Sequence, residues 1–161
     1  LLHILHCNGH ICQNSAKPLD MIVLYESLCF DSKLYIKKLW PVYQEFHKCI
    51  NLTLVPYGNA WPSRSATFGH KCQHDDDECW GNRMQDCAIH SNLNQVDQMK
   101  FVNCQMKDFH LTTTKDFKCA RDLNIVDHVE RCMGPSGRGD HLQTQSSLIT
   151  KRYRYSEIPA I

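Results

Sequence analysis

Residues 21 to 32 of this chain, Met-Ile-Val-Leu-Tyr-Glu-Ser-Leu-Cys-Phe-Asp-Ser, constrain its architecture more than any other stretch. The run Met21 to Tyr25 is rich in β-branched and aromatic residues and reads as a strand. It passes through Glu26, Ser27 and Leu28 to Cys29, where a helical pattern begins, with Leu34, Tyr35, Leu39, Val42 and Phe46 near one face. Pro41 removes an N–H inside that helix, so a kink or break is expected there. Asn51 to Pro56 reads as a second, buried strand, and Gly58-Asn59 opens a loop. Strand, helix and strand make a βαβ unit with parallel strands and a right-handed crossover. One thiol is thereby set where unpaired backbone N–H groups and the helix dipole favour a thiolate.

Ten cysteines in 161 residues are far more than an ordinary cytosolic domain carries. They point to an oxidising, secretory-route compartment. The sequon Asn51-Leu52-Thr53 fits that compartment and makes Asn51 a glycosylation candidate. With 18 basic against 17 acidic residues, no nucleic-acid partner or polybasic membrane role is expected. No run of about 18 apolar residues occurs, so no membrane span is expected. The opening Leu-Leu-His-Ile-Leu-His is too short and too histidine-rich for a signal-peptide core, and the chain reads as a fragment or processed form. Residues 1–20, with Cys7, Cys12, His3, His6 and His10, read as an N-terminal arm holding a local bridge or poorly ordered; a metal clip is the lesser reading.

Residues 60 to 77 read as loop, and the acidic run Asp75 to Glu78 reads as the first turn of a helix. Trp80, Met84, Cys87 and Ala88 then share a helical face. Val96, Met99, Val102 and Met106 repeat at helical spacing, as do Leu123, Val126, Val129 and Met133. The methionines are expected in core packing rather than a cofactor pocket. Gly134 to Gly139 is a turn; without a following Gly-Lys-Ser/Thr it is no phosphate loop. A last helix is expected over His141 to Thr150, then loop and strand through Pro159. His70, Cys72, His74 and Cys79 have the ligand types of a zinc site, but bridges are the better account of these cysteines, and no metal site is expected.

Several blocks together resemble the gamma-interferon-inducible lysosomal thiol reductase family. They are Leu24-Tyr25-Glu26-Ser27-Leu28-Cys29, Leu54 to Ala60, Cys72-Gln73-His74 with Glu78-Cys79, Gly81-Asn82 ahead of Cys87, and Ile158-Pro159. The likeness runs from about Met21 to the end and is closest to insect-type members. It implies an α/β, thioredoxin-like fold interrupted by a helical, disulfide-stapled insertion at about 60–139. It implies a glycosylated enzyme, lysosomal or endosomal or else secreted, that reduces protein disulfides at acid pH without a resident cofactor. Pro159 then stands where a cis-proline would face Cys29. The resemblance also implies a strand and helix beyond Pro159, so the chain as given is expected to be C-terminally truncated and less stable than its parent. Cys72, Cys79, Cys87, Cys104, Cys119 and Cys132 are the family-like bridge set, among fifteen possible pairings. With Cys7 bridged to Cys12, Cys49 would be the odd thiol.

Two departures bear on chemistry: Phe30 replaces the family's proline after the first cysteine, and Ser32 replaces the second cysteine. At pH near 5 an ordinary thiol, pKa about 8.5, is only about 0.03% ionised, so surroundings decide its reactivity. The helix start and Lys33 are expected to favour the thiolate at Cys29; Asp31 opposes them. A serine cannot resolve a mixed disulfide, so an external small thiol is required. Monothiol reductase, isomerase and substrate trap all fit this site. The rival reading is a secreted binding module that kept the fold and lost turnover. Nothing in the residues specifies a subunit count or a physiological substrate.

Overall fold

The computed structural model describes residues 17–161. Cys7, Cys12 and the N-terminal histidines lie outside the described residues, whereas Leu19 and Asp20, read as the end of the arm, already belong to the first strand. The chain runs β1 (Leu19–Tyr25), α1 (Phe30–Phe46), β2 (Ile50–Pro56), a short hairpin β3 (Trp61–Pro62) and β4 (His70–Lys71), then α2 (Asp75–Ile89) and α3 (Gln95–Lys107). Short helices α4 (His110–Thr113), α5 (Lys118–Asp122) and α6 (Val126–Met133) lead to α7 (Gly139–Thr150). The architecture is mixed α/β. No helix among the described residues is long and apolar enough to cross a membrane.

β1 and β2 pair in parallel, from Leu19 opposite Ile50 to Tyr25 opposite Pro56. Leu24 makes a reciprocal antiparallel bridge to Ala160, with N···O distances of 2.8 and 3.0 Å, so β1 lies between β2 and the C-terminal segment. Val23, Leu24 and Tyr25 are all buried, which is why this stretch is apolar without alternation. Val23, Tyr25, Leu52 and Leu54 join one core with residues of α1, α2 and α3; Leu24 and Val55 pack with Ile158 in a smaller cluster.

Three expectations about the helices need correction. The buried positions of α1 are Ser32, Ile36, Leu39 and Tyr43, while Leu34 and Val42 are exposed. This helix carries apolar residues on most sides, so 3.6-residue spacing fits two phases, and packing against α3 selects one. Of the kink or break expected at Pro41, the break does not occur: the helix runs on from Phe30 to Phe46 with the proline exposed. Finally, Leu123 and Val126 do not share a helix, because Asn124 at φ 56° separates α5 from α6.

Helix α2 is buried all round from Glu78 to Ile89, wider than the single face expected from Trp80, Met84, Cys87 and Ala88. β2, α3, α4, α6 and α7 surround it. Its polar residues must therefore find partners inside the protein. Asp86, fully buried, accepts from Gln143 Nε2 at 2.6 Å and Ser146 Oγ at 2.8 Å, tying α2 to α7. Burial pushes the Asp86 carboxyl up to about 7 against those two hydrogen bonds.

Bridges join Cys72 to Cys79, Cys87 to Cys132 and Cys104 to Cys119. Cys49 is also disulfide-bonded, which overturns its reading as the odd thiol. Its carbonyl accepts the N–H of Leu19 at 2.8 Å, so it stands where the chain enters β1, a proximity that sequence separation hides. Loop closure sets the expected worth of the staples. Replacing Cys87 and Cys132, 45 residues apart, by alanine should lower the unfolding free energy by about 4 kcal/mol. The same change at Cys72 and Cys79, 7 apart, should cost about 2.5 kcal/mol. Urea unfolding of the two double variants checks the order.

Candidate active site

Cys29 is the free cysteine among the described residues, and it is half-buried. It is the N-cap of α1, at φ −70° and ψ 125°, and its Sγ accepts the N–H of Ser32 at 3.5 Å. A helix start leaves such N–H groups without intrahelical partners, and here sulfur takes the place usually held by a serine or aspartate oxygen. The same sulfur lies 3.9 Å from the carbonyl oxygen of Ile158, to which the thiol can donate. The Ile158–Pro159 bond is cis, and the neighbouring Ala160 is held on β1 through Leu24. Cys29, Ser32 and the Ile158–Pro159 segment thus meet, although 129 residues separate Cys29 from Ile158.

Ser32 is fully buried, and its Oγ accepts the N–H of Glu26 at 3.4 Å. Phe30 is 63% exposed beside the thiol, an apolar side chain facing solvent. Lys33, expected to support the thiolate, places its ammonium 4.5 Å from the centre of the Phe109 ring. That cation–π contact commits its charge elsewhere. Asp31 is exposed in the first turn.

The loop between β1 and Cys29 is fastened chiefly to α2. Ser27 N–H donates to Asn82 Oδ1 at 2.8 Å, and Ser27 Oγ donates to the Glu78 carbonyl at 3.0 Å. The approach needs glycine at position 81, where a Cβ would stand 2.5 Å from Ser27 Oγ. Glu26 turns its buried carboxyl to the other side, and Oε1 accepts the N–H of Asn59 at 2.6 Å. Gly58, at φ +52°, supplies both the left-handed turn and the space, since a Cβ there would meet Glu26 Cγ at 2.3 Å. Asn59 Nδ2 in turn donates to Gln73 Oε1 at 2.9 Å.

Glu78 folds back on the start of α2. Its Oε1 accepts the backbone N–H of His74 at 3.1 Å, in the manner of a capping box, and its Oε2 lies 2.6 Å from His74 Nδ1. Ligand atoms of Glu26, His74 and Glu78 lie within 4.8 Å of one another, the one such group of potential metal donors among the described residues. Burial, then the Glu78 carboxylate, push the Glu26 carboxyl up to about 7, against the Asn59 N–H and His74. The zinc set His70, Cys72, His74 and Cys79 does not form, because the Cys72–Cys79 bridge removes both thiolates and His70 Nδ1 pairs with Tyr57 Oη at 2.9 Å.

Asn51, the glycosylation candidate, is exposed on β2; its Nδ2 donates to Asp20 and its Oδ1 accepts from Gln95, both at 2.8 Å. The supporting roles of Glu26, Asn59, Gln73 and Asn82 were not assigned from sequence. The signal was present, since all four stand inside the blocks that carry the family resemblance.

A family model described as "Gamma interferon inducible lysosomal thiol reductase (GILT)" matches residues 20–123, which takes in Cys29, Ser32 and the Cys72–Cys87 block but not Pro159. A gamma-interferon-inducible lysosomal thiol reductase-like protein of Anopheles gambiae is 32% identical over 159 residues, covering 88% of this chain and 64% of the relative. GILT-like protein 1 of Drosophila melanogaster is 28% identical over 166 residues, covering 91% and 66%. The mouse gamma-interferon-inducible lysosomal thiol reductase is 33% identical over 92 residues, covering 52% and 37%. The chain thus spans just under two thirds of the length of the two insect relatives.

Removing the Asn82 side-chain oxygen should strand the buried N–H of Ser27. Asn82→Ala is expected to cost about 1–3 kcal/mol in urea unfolding, whereas Gln73→Ala, at an exposed pair, should change stability by less than about 0.5 kcal/mol.

Proposed function

Because the chain belongs to the gamma interferon inducible lysosomal thiol reductase family, we propose that it reduces protein disulfides by exchange at Cys29, on a thioredoxin-like scaffold. The observation that carries this reading is the sulfur itself: an unbridged thiol at a helix start, receiving the Ser32 N–H and facing the Ile158 carbonyl. The βαβ unit with a third chain segment bridged antiparallel to β1 supports the scaffold assignment. In this reading residues 60–139 are the helical insertion, stapled by its bridges, and α2 within it holds the Cys29 loop through Asn82 and the Glu78 carbonyl.

The Cys29 thiolate attacks one sulfur of a substrate disulfide, forming a Cys29–substrate mixed disulfide and releasing the other substrate sulfur as a thiolate, which takes a proton. Ser32 presents a hydroxyl, which cannot displace sulfur from sulfur, so resolution passes to a small external thiol. One equivalent releases the second substrate thiol and remains on Cys29; a second frees Cys29 and leaves as the oxidised dimer. No resident cofactor is required. Phe30, exposed at the mouth, is suited to apolar residues flanking a substrate disulfide.

The oxidising history implied by the bridges, and the lysosomal names of the mosquito and mouse relatives, support an endosomal, lysosomal or secreted location. Partners in this reading are disulfide-bearing proteins, with no nucleic acid or membrane involved.

The full-length protein is expected to reduce a denatured, disulfide-bonded protein at pH 4.5–5.5 when supplied with a small thiol. Cys29→Ser should lower the rate to that of the thiol alone. An unchanged rate would instead favour the reading in which the fold survives as a binding module. Ser32→Cys restores an internal attacking group, and should raise turnover and weaken its dependence on thiol concentration.

A further inference from the structure

Exchange at Cys29 makes no direct use of Glu26, yet this carboxyl is 1% exposed and occupies the loop that delivers the thiol. Its backbone carbonyl accepts the Cys29 N–H at 3.4 Å, and its own N–H donates to Ser32 Oγ. Its side chain lies against Gly58 and is bonded to Asn59. One residue therefore links both chemically marked positions of α1 to the turn after β2.

The second carboxyl oxygen, Oε2, is buried without a partner. The ionisable groups around Glu26 are Glu78 and His74 at the start of α2, and Tyr155 of the C-terminal segment, whose Oη donates to the Gly58 carbonyl at 2.9 Å. Glu78 already spends both oxygens on His74. An ionised Glu26 would thus be a second buried negative charge beside Glu78, supported by one N–H bond; a neutral carboxyl removes that conflict.

We propose that Glu26 is a positioning residue for Cys29: neutral, it locks the Glu26–Cys29 loop to the Gly58–Asn59 turn, and ionisation loosens that lock. The inference rests on Cys29 being the working thiol and adds to that reading a residue that acts through it. Because the folded carboxyl sits at about 7 against an ordinary 4.5, the lock is fully present below about pH 4.5 and is lost as pH rises through 7. A proton suits the site better than a divalent cation, since a cation would have to displace the pairing of His74 with Glu78, whereas a proton leaves it in place.

The test uses the full-length protein and Glu26→Gln, a permanently neutral near-isostere, from pH 4.5 to 8.5, with and without EDTA. It measures the melting temperature and the rate at which iodoacetamide alkylates Cys29, read by peptide mass. Asp86 is common to both proteins and cancels in the comparison. At pH 5 the two should agree within about twofold in rate and a few degrees in melting. Between pH 6 and 8 the wild type should lose several degrees more than Glu26→Gln, and the variant-to-wild-type alkylation ratio should rise above about twofold. Parallel melting curves with a flat ratio would overturn the proposal, as would a Glu26→Gln protein that is unstable or unfolded at pH 5. EDTA that lowers the wild-type melting temperature but not that of the variant would also overturn it, by showing a held cation instead of a proton. Neither readout requires turnover, so a failed reductase assay leaves the outcome separately legible.

Discussion

Ser27 carries a backbone N–H that neither β1 nor α1 can satisfy, because it lies between them and is fully buried. Asn82 accepts it. Much of the site depends on this bond, since it fixes the loop of Glu26 to Cys29 relative to α2, and α2 is the helix that the rest of the fold surrounds. An unpaired buried amide costs about 1–3 kcal/mol, so an oxygen at position 82 is required as soon as the chain leaves β1 along this path. The loop's close approach to Gly81 follows from the same contact.

What holds α2 in place is partly apolar and partly covalent. Met84 and Ala88 enter the main core, while bridges at Cys79 and Cys87 tie the helix to β4's neighbour Cys72 and to α6. The two kinds of constraint act on different states. Apolar burial stabilises the folded chain, and the bridges chiefly restrict the unfolded one. Glu78 then serves locally, capping the helix start through His74 while its backbone carbonyl receives Ser27 Oγ. His74, Glu78, Gly81 and Asn82 thus fall at helical spacing on the side of α2 that meets the Cys29 loop, the Cys72–Cys79 bridge clasps the helix start, and Cys87 near the other end reaches α6.

That geometry explains which parts of the structure were legible in the sequence. β1, β2 and their parallel pairing follow from two apolar runs around a helix, and Cys29 at the helix start follows from where the pattern changes period. The phase of α1 was not legible, because Ile36 and Tyr43 compete with Leu34 and Val42 for the same spacing. The short β3–β4 hairpin carries too few residues to show a period. The expected face of Trp80, Met84, Cys87 and Ala88 gave no reason to bury Asp86 and Asn82, and only the packing of β2 and four helices reveals a helix buried on every face. Cys49 was misassigned because proximity in sequence stood in for proximity in space.

Ser32 gains a second meaning from this arrangement. In the proposed chemistry it is a loss, since a hydroxyl cannot displace sulfur from a mixed disulfide at Cys29. Considered as structure it is an acceptor: buried, it takes the N–H of Glu26, while its own N–H is given to the Cys29 sulfur. A thiol is a much weaker acceptor than a hydroxyl, so a second cysteine would supply the resolving group while holding Glu26 less firmly. In the proposed exchange, the residue that withdraws the internal resolving step is thus one of those that fasten the Cys29 thiol. Under the proposed exchange, such a site would trade a self-contained pair for a well-placed single sulfur served by thiols from solution.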